Sequence, residues 1–231
     1  MTGTSDPYSK QLNHTKIALV IGATGATGKP LVNQLLADAE FSEVHIFVRN
    51  KIEISNPKLK MHIVDFEKME QWKELIKGDV SFSCMGTTLK QAGSKAAQKK
   101  IDFDYQNNFA KYSKENGVPH FVLVSAYGAS SNSSIFYSRI KGELEDSIKQ
   151  LQFTQCSIFQ PGMLDRQNTD RKMEVWGVKI LNFITSLGIF KSQKPLPTQI
   201  LAKAMIQASK SNFSGFRIYA LAEIFKLANE K

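Results

Sequence analysis

Seven short apolar runs punctuate the chain, at residues 17–21, 44–48, 61–64, 79–84, 120–124, 154–159 and 216–221. Each is four to six residues long and rich in branched or aromatic side chains, the length and composition of a buried strand rather than of a helix. Between them the apolar positions recur every three or four residues. Leu31, Val32, Leu35 and Leu36 form one such stripe, and Trp72, Leu75 and Ile76 belong to a second. Ile101, Tyr105, Phe109 and Tyr112 predict a helix over 101–116 that stops at Gly117-Val118-Pro119. Ile140, Leu144, Ile148 and Leu151 mark another, and Pro195-Leu196-Pro197 precedes one over 198–208. Strands joined by crossover helices run parallel, so the pattern predicts a doubly wound α/β sheet in a single domain over residues 16–231. Residues 1–15 are polar and read as a flexible arm. Ligands of such sheets bind beyond the carboxyl ends of the strands, and the chemistry is expected there.

The first strand runs directly into Gly22-Ala23-Thr24-Gly25-Ala26-Thr27-Gly28, three glycines spaced three apart, and an amphipathic run opens at Pro30. Glycine at 22 permits a backbone conformation that a Cβ would obstruct, and at 25 it lets a ligand approach the main chain. At 28 it lets helix and strand pack closely. N–H groups at the helix start and the aligned peptide dipoles both favour an anion, so a pyrophosphate is the expected guest. Gly22, Thr24, Gly25, Ala26, Thr27 and Gly28 thus form a candidate dinucleotide-binding turn.

The other strand ends add candidates in order. The second strand ends at Arg49 and lacks the acidic residue that binds a ribose 2′-hydroxyl; an arginine pairs instead with a 2′-phosphate, so NADP(H) is expected in preference to NAD(H). The third ends in Asp65-Phe66. Asp65 either accepts a hydrogen bond from an adenine amino group, with Phe66 covering the ring, or caps the next helix. Cys84, Met85, Gly86 and Thr87 end the fourth strand, Gly86 again allowing close backbone approach, and Pro161, Gly162 and Met163 follow the sixth beside the expected nicotinamide. His120 opens the fifth strand, at the far end from any ligand, and receives no catalytic role.

Ser125 closes that fifth strand, 12 residues before Tyr137. Tyr137 and Lys141 are i and i+4 on one helical face. Such a pair arises by chance in a chain with 6 tyrosines and 25 lysines, so its weight comes from its position across one loop from Ser125. A tyrosine with a pKa of about 10 is a poor acid and base at neutral pH unless a cation stabilises its phenolate, which Lys141 can do.

The glycine turn, Arg49, the segment 84–88, Ser125, Tyr137-x-x-x-Lys141 and Phe159-Gln160-Pro161-Gly162 together resemble the NAD(P)H-binding atypical short-chain dehydrogenases/reductases. The likeness covers about residues 17–166 and is nearest to the Tat-interacting-protein oxidoreductases. It implies a Rossmann-type sheet and a catalytic set of Ser125, Tyr137 and Lys141, in which Lys141 also binds the nicotinamide ribose. An oxidoreductase that reduces carbonyls or oxidises alcohols is the expected function. The alternatives are an NADPH-binding redox-sensing regulator and, less well fitted, a nucleotide-sugar epimerase-like enzyme. Gln160 departs from the family, where many relatives have arginine before Pro-Gly, so no anionic-substrate contact is assigned there.

Composition narrows the classes further. The formal charge is +9, yet the lysines are scattered and few aromatic residues lie among them, so no nucleic-acid partner is expected. The excess suits a phosphorylated cofactor. The cluster Lys90, Lys95, Lys99 and Lys100 reads as a solvated face, with an anionic substrate or a partner surface as the alternatives. Cys84 and Cys156 lack metal-ligand spacing and read as reduced thiols of a cytoplasmic protein. Residues 175–190 are apolar but interrupted by Lys179 and Asn182, too polar to span a bilayer. They are expected to cover the substrate cleft or make a subunit contact, within a substrate-side region mainly at 163–215. The remaining partners are an unidentified small-molecule substrate and a possible protein partner or second copy of the chain.

Overall fold

The computed structural model describes residues 15–165 and 195–230. All but Thr15 of the expected arm, the apolar run 175–190 and the rest of the expected substrate side at 166–194 lie outside the described residues.

Seven strands form one sheet. They are β1 (Lys16–Ile21), β2 (Phe41–Val48), β3 (Leu59–Ile63), β4 (Val80–Ser83), β5 (His120–Val124), β6 (Gln155–Gln160) and β9 (Gly215–Ala220), in the order β3-β2-β1-β4-β5-β6-β9. Every pairing is parallel. The two-residue strands β7 (Leu164–Asp165) and β8 (Leu196–Pro197) pair separately. This is the doubly wound, Rossmann-like sheet the apolar runs predict, and its order reverses between β1 and β4, where the glycine turn lies.

Alternation along β1 distributes the core between two faces. Ala18 and Val20 pack on one side with Leu31, Val32 and Leu35 of α1 (Gly28–Ala37) and with Leu201 and Met205 of the helix Thr198–Lys210. Leu19 and Ile21 pack on the other with Phe109 of α4 (Tyr105–Glu115) and with Leu144 and Ile148 of α5 (Phe136–Gln150). All these side chains are buried, each contributing about 1.5–3 kcal/mol for the larger apolar ones. Two buried polar pairs fix α4 on β4: Ser81 with Ser113 at 2.8 Å, and Ser83 donating to Gln106 at 2.8 Å.

Two expectations need correction. The segment holding Trp72, Leu75 and Ile76 is not an α-helix but two short 3₁₀ turns, Phe66–Gln71 and Lys73–Leu75. Lys68 leaves helical geometry there, and the Trp72 indole donates back to the Asp65 carbonyl at 2.9 Å, so the ring is seated in the core by a tight turn. The helix expected over 101–116 begins earlier. Helices α2 (Leu89–Ala92) and α3 (Lys95–Lys99) precede it, and a π-helical turn at Lys100–Asp104 joins α3 to α4. Tyr105, Phe109 and Tyr112 of its stripe do pack on the core, whereas the half-buried Ile101 is not part of it.

Candidate active site

The glycine turn is shaped by backbone crowding. Gly22 has φ +75°, and a Cβ on it would meet the Cys84 carbonyl carbon at 2.5 Å; a Cβ on Gly28 would lie 2.1 Å from the Gly22 carbonyl oxygen. Neither position has room for another residue. Gly25 is less confined, its nearest neighbour being the Gly22 oxygen at 3.2 Å, and its N–H donates to that oxygen at 2.9 Å. Thr24 is exposed at the tip, Ala26 half-buried, and Thr27 buried at the start of α1. The turn is therefore a tight cradle open on the Thr24–Gly25 side, a shape that fits a pyrophosphate against the main chain.

At the other strand ends, Arg49 is exposed beyond β2. Asp65 accepts a hydrogen bond from the Glu67 N–H at 2.9 Å, the capping alternative, and Phe66 is buried with its ring against Trp72 and Tyr105. Tyr105 donates to Glu67, which also pairs with Lys100 at 2.9 Å. Burial and the Glu67 carboxylate push the Tyr105 phenol well above its ordinary value, with Asp65 adding to the rise and Arg49 opposing it. A groove of about 420 Å³ lined by Glu67, Lys100, Ile101 and Tyr105 runs beside this cluster. The groove escaped the sequence reading, since Lys100 reads as part of a solvated face and no motif marks Glu67.

At the end of β4, Cys84 is half-buried overall, but burial of its thiol pushes the pKa up to about 12, so it is an inert thiol. Met85 and Thr87 are half-buried and Gly86 is exposed. Asp102, on the π-helical turn, is fully buried; it accepts from the Thr87 N–H at 3.3 Å, and its second carboxyl oxygen has no partner among the described residues. Burial raises its pKa. No periodicity signals such a residue, because a charge on a helix reads as exposed.

Of the proposed catalytic residues, Ser125 and Lys141 lie where α5 docks on β5. Lys141 is buried, and its ammonium donates to the Val124 carbonyl at 3.2 Å, one residue before Ser125. Burial lowers its pKa, while Asp102, Glu145 and Cys84 pull in the opposite direction. Ser125 is 5% exposed, and its hydroxyl donates to Glu145 at 2.5 Å. Glu145, itself buried, also accepts from the Gln160 amide at 2.9 and 3.0 Å. Tyr137 stands one turn before Lys141 and is 39% exposed. Gly142 lets the loop after Ser125 lie on the helix, since a Cβ there would meet the Ser130 carbonyl carbon at 2.2 Å. Pro161 is buried and its carbonyl accepts from the Tyr127 N–H at 3.0 Å, Gly162 is half-buried, and Met163 is exposed. Glu145 had a legible signal: 137, 141 and 145 continue one i, i+4 series.

A doubly wound parallel sheet with a glycine cradle at its switch point and polar groups gathered at the carboxyl ends defines a dinucleotide-binding protein. The profile of the NAD(P)H-binding family matches residues 22–175, and the chain belongs to that family. Protein HTATIP2 of Rattus norvegicus is 37% identical over 160 residues, which cover 67% of this chain and 66% of the rat protein, just under two thirds of its length. Protein FMP52, mitochondrial, of Eremothecium gossypii is 31% identical over 223 residues, 93% of this chain and 98% of that protein. These relatives support the atypical dehydrogenase group expected from the motifs; the fungal protein is named as mitochondrial, and the expected cytoplasmic location of this chain is not shown. Among solved structures, MoeE5 in complex with UDP-glucose and NAD superposes with TM-score 0.67 at 13% identity, covering 88% of this chain and 75% of that one. UDP-glucose 4-epimerase of Thermotoga maritima gives 0.67 at 16%, covering 92% and 81%. At such identities the likeness is one of fold. Among the described residues no helix is long and apolar enough to cross a membrane, and no group of side chains could hold a metal ion.

Proposed function

We propose that the protein is an NADPH-dependent oxidoreductase that reduces a carbonyl or oxidises the corresponding alcohol. One observation carries this reading: Lys141 and Glu145, on successive turns of α5, are bonded to Val124 and Ser125 at the end of β5. Tyr137, one turn earlier on α5, is the residue proposed to serve the same strand end. A regulator that only binds a dinucleotide needs the cradle but no such docking.

The chain's own residues divide the work. Gly22, Thr24, Gly25, Ala26, Thr27 and Gly28 hold the pyrophosphate, with Asp65 and Phe66 at the adenosine end. Arg49 binds the 2′-phosphate, which gives the preference for NADP(H). Cys84, Met85, Gly86 and Thr87, with Pro161, Gly162 and Met163, wall the nicotinamide end. NADPH, when bound there, would supply the hydride for the carbonyl carbon. Tyr137 gives its phenolic proton to the carbonyl oxygen, Lys141 stabilises the phenolate left behind and holds the ribose, and Ser125 fixes the substrate by a hydrogen bond. Solvent returns the proton to Tyr137, so the step balances as carbonyl plus NADPH and a proton to alcohol plus NADP⁺.

The test is a panel of aldehydes, ketones and quinones followed by NADPH absorbance. Oxidation by the wild-type protein that is lost in Lys141→Ala is the expected result. NADPH binding with no consumption across the panel would favour the redox-sensing regulator.

A further inference from the structure

Three titratable side chains outside the cleft form one row where β2 pairs with β3. Nε2 of His45 lies 2.7 Å from the Glu43 carboxylate, and its Nδ1 lies 3.1 Å from Nε2 of His62. A carboxylate only accepts, so it sets the protons along the row: His45 carries its hydrogen on Nε2, and His62 donates from its own Nε2 to the bare Nδ1 of His45. One added proton can be absorbed, because His62 can move its hydrogen to Nδ1 and leave Nε2 to accept. A second cannot. With both rings charged, N–H is set against N–H at 3.1 Å and two positive charges face each other. Burial, with the charge of His45 adding to it, holds the His62 pKa below the ordinary imidazole value, so the second proton arrives on the acid side of neutrality.

His62 is half-buried and stands opposite Phe47 in the strand register. Its ring stacks on Phe47 with centroids 4.9 Å apart, and Phe47 stacks on Trp72 at 5.1 Å. Trp72 packs edge-on against Phe66, and its indole donates to the Asp65 carbonyl. The row therefore reaches the Asp65–Phe66 turn through a continuous stack of rings, and along the chain only Ile63 and Val64 intervene. Other charges nearby are engaged elsewhere or carry the wrong sign. Lys60 on β3 is a cation, and on the 3₁₀ turns Glu67, Glu70 and Glu74 pair with Lys100, Lys73 and Lys77. Of the carboxylates, Glu43 alone is bonded to the row, and it serves His45.

We propose that the His45–His62 pair is a pH-sensitive latch on the cofactor site: at neutral pH it seats the Asp65–Phe66 turn, and its second protonation parts the rings, unseats the turn and weakens NADPH binding. The latch goes beyond the oxidoreductase reading and rests only on the adenosine end of NADPH lying at Asp65 and Phe66.

NADPH affinity is measured by calorimetry at about pH 7.5 and pH 5.5 on the wild-type protein and on His62→Gln, whose amide can donate to His45 or accept from it but takes no charge. Between the two pH values the wild-type affinity should fall about tenfold more than that of His62→Gln, the size of one pKa unit of coupling. His45→Gln should behave like His62→Gln and decides the matter should the first variant fail to fold. His120 is present in all three proteins, so its own titration cancels. Trp72 gives a readout without cofactor: in a Trp176→Phe background it is the one tryptophan left, and its emission should shift across the same pH step and hold steady once His62→Gln is added. An equal fall in affinity in wild type and folded variants, or Trp72 emission that does not respond to pH, would overturn the latch. Emission that shifts alike with and without His62 would do the same. No NADPH binding at pH 7.5 would overturn the cofactor assignment itself, and the latch with it.

Discussion

Gly22 and Cys84 are pressed together across the gap between β1 and β4, so closely that a Cβ on the glycine would lie 2.5 Å from the cysteine's carbonyl carbon. The contact ties the glycine turn to the loop that ends β4, and so fixes two walls of the cleft at once. Gly22 also has φ +75°, a conformation costly for any residue with a side chain.

The glycines should therefore separate by role. Gly22→Ala must move backbone on both sides and should abolish soluble, folded protein or lower the melting temperature by roughly 5–10 degrees, the effect of about 2–3 kcal/mol in a domain of this size. Gly25→Ala meets the Gly22 oxygen at 3.2 Å and the Cys84 oxygen at 3.9 Å, and should leave the melting temperature within a few degrees. Its NADPH affinity should fall at least tenfold by calorimetry, because the added methyl occupies the open side of the cradle. Equal effects of both substitutions on melting temperature and affinity would contradict this division.

Arg49 carries the cofactor preference. Arg49→Ala should weaken NADPH binding by roughly ten- to a hundredfold, the worth of a charge-assisted contact of about 1.5–3 kcal/mol, and leave NADH binding nearly unchanged. Calorimetric titration with both cofactors reads this directly. If the wild-type protein binds the two equally, Arg49 is a surface charge and no more.

His120 makes a prediction about acid stability. It is buried, its Nε2 lies 2.9 Å from the Ser157 hydroxyl, and its Nδ1 has no partner among the described residues. Burial, helped by the like charge of Lys16, lowers its pKa to about 4. The unfolded chain binds the proton near pH 6.5 and the folded chain only near 4, so stability rises with pH across that window and is lost on acidification. The loss approaches about 3 kcal/mol once both states are protonated. His120→Gln, which keeps a partner for Ser157, should flatten the melting temperature between pH 6.5 and 4. A variant that follows the wild-type acid branch would show that other groups drive it.

Much of the fold was legible because parallel strands and crossover helices write simple periods. His120–Val124 was bounded to the residue, and the other strands within a few positions. Two features were hidden for physical reasons. The 3₁₀ turns after β3 arise from the seating of Trp72, a tertiary contact that overrides a helical stripe, and the π-helical turn at Lys100–Asp104 leaves no mark in spacing. At the site, the glycine turn could be read from its motif, and motif and placement are what propose Ser125, Tyr137 and Lys141. Asp102 and Glu145 could not be read as buried, since carboxylates enter a core only through partners that the fold supplies.

Tyr137→Phe tests the central claim most directly, because it removes one hydroxyl from the residue proposed to move the proton. With a substrate found in the panel, turnover should fall by roughly 10²–10⁴-fold, while melting temperature and NADPH affinity measured on the same preparation stay close to wild type. Turnover that survives the substitution unchanged, in protein that is folded and binds NADPH, would contradict the catalytic assignment.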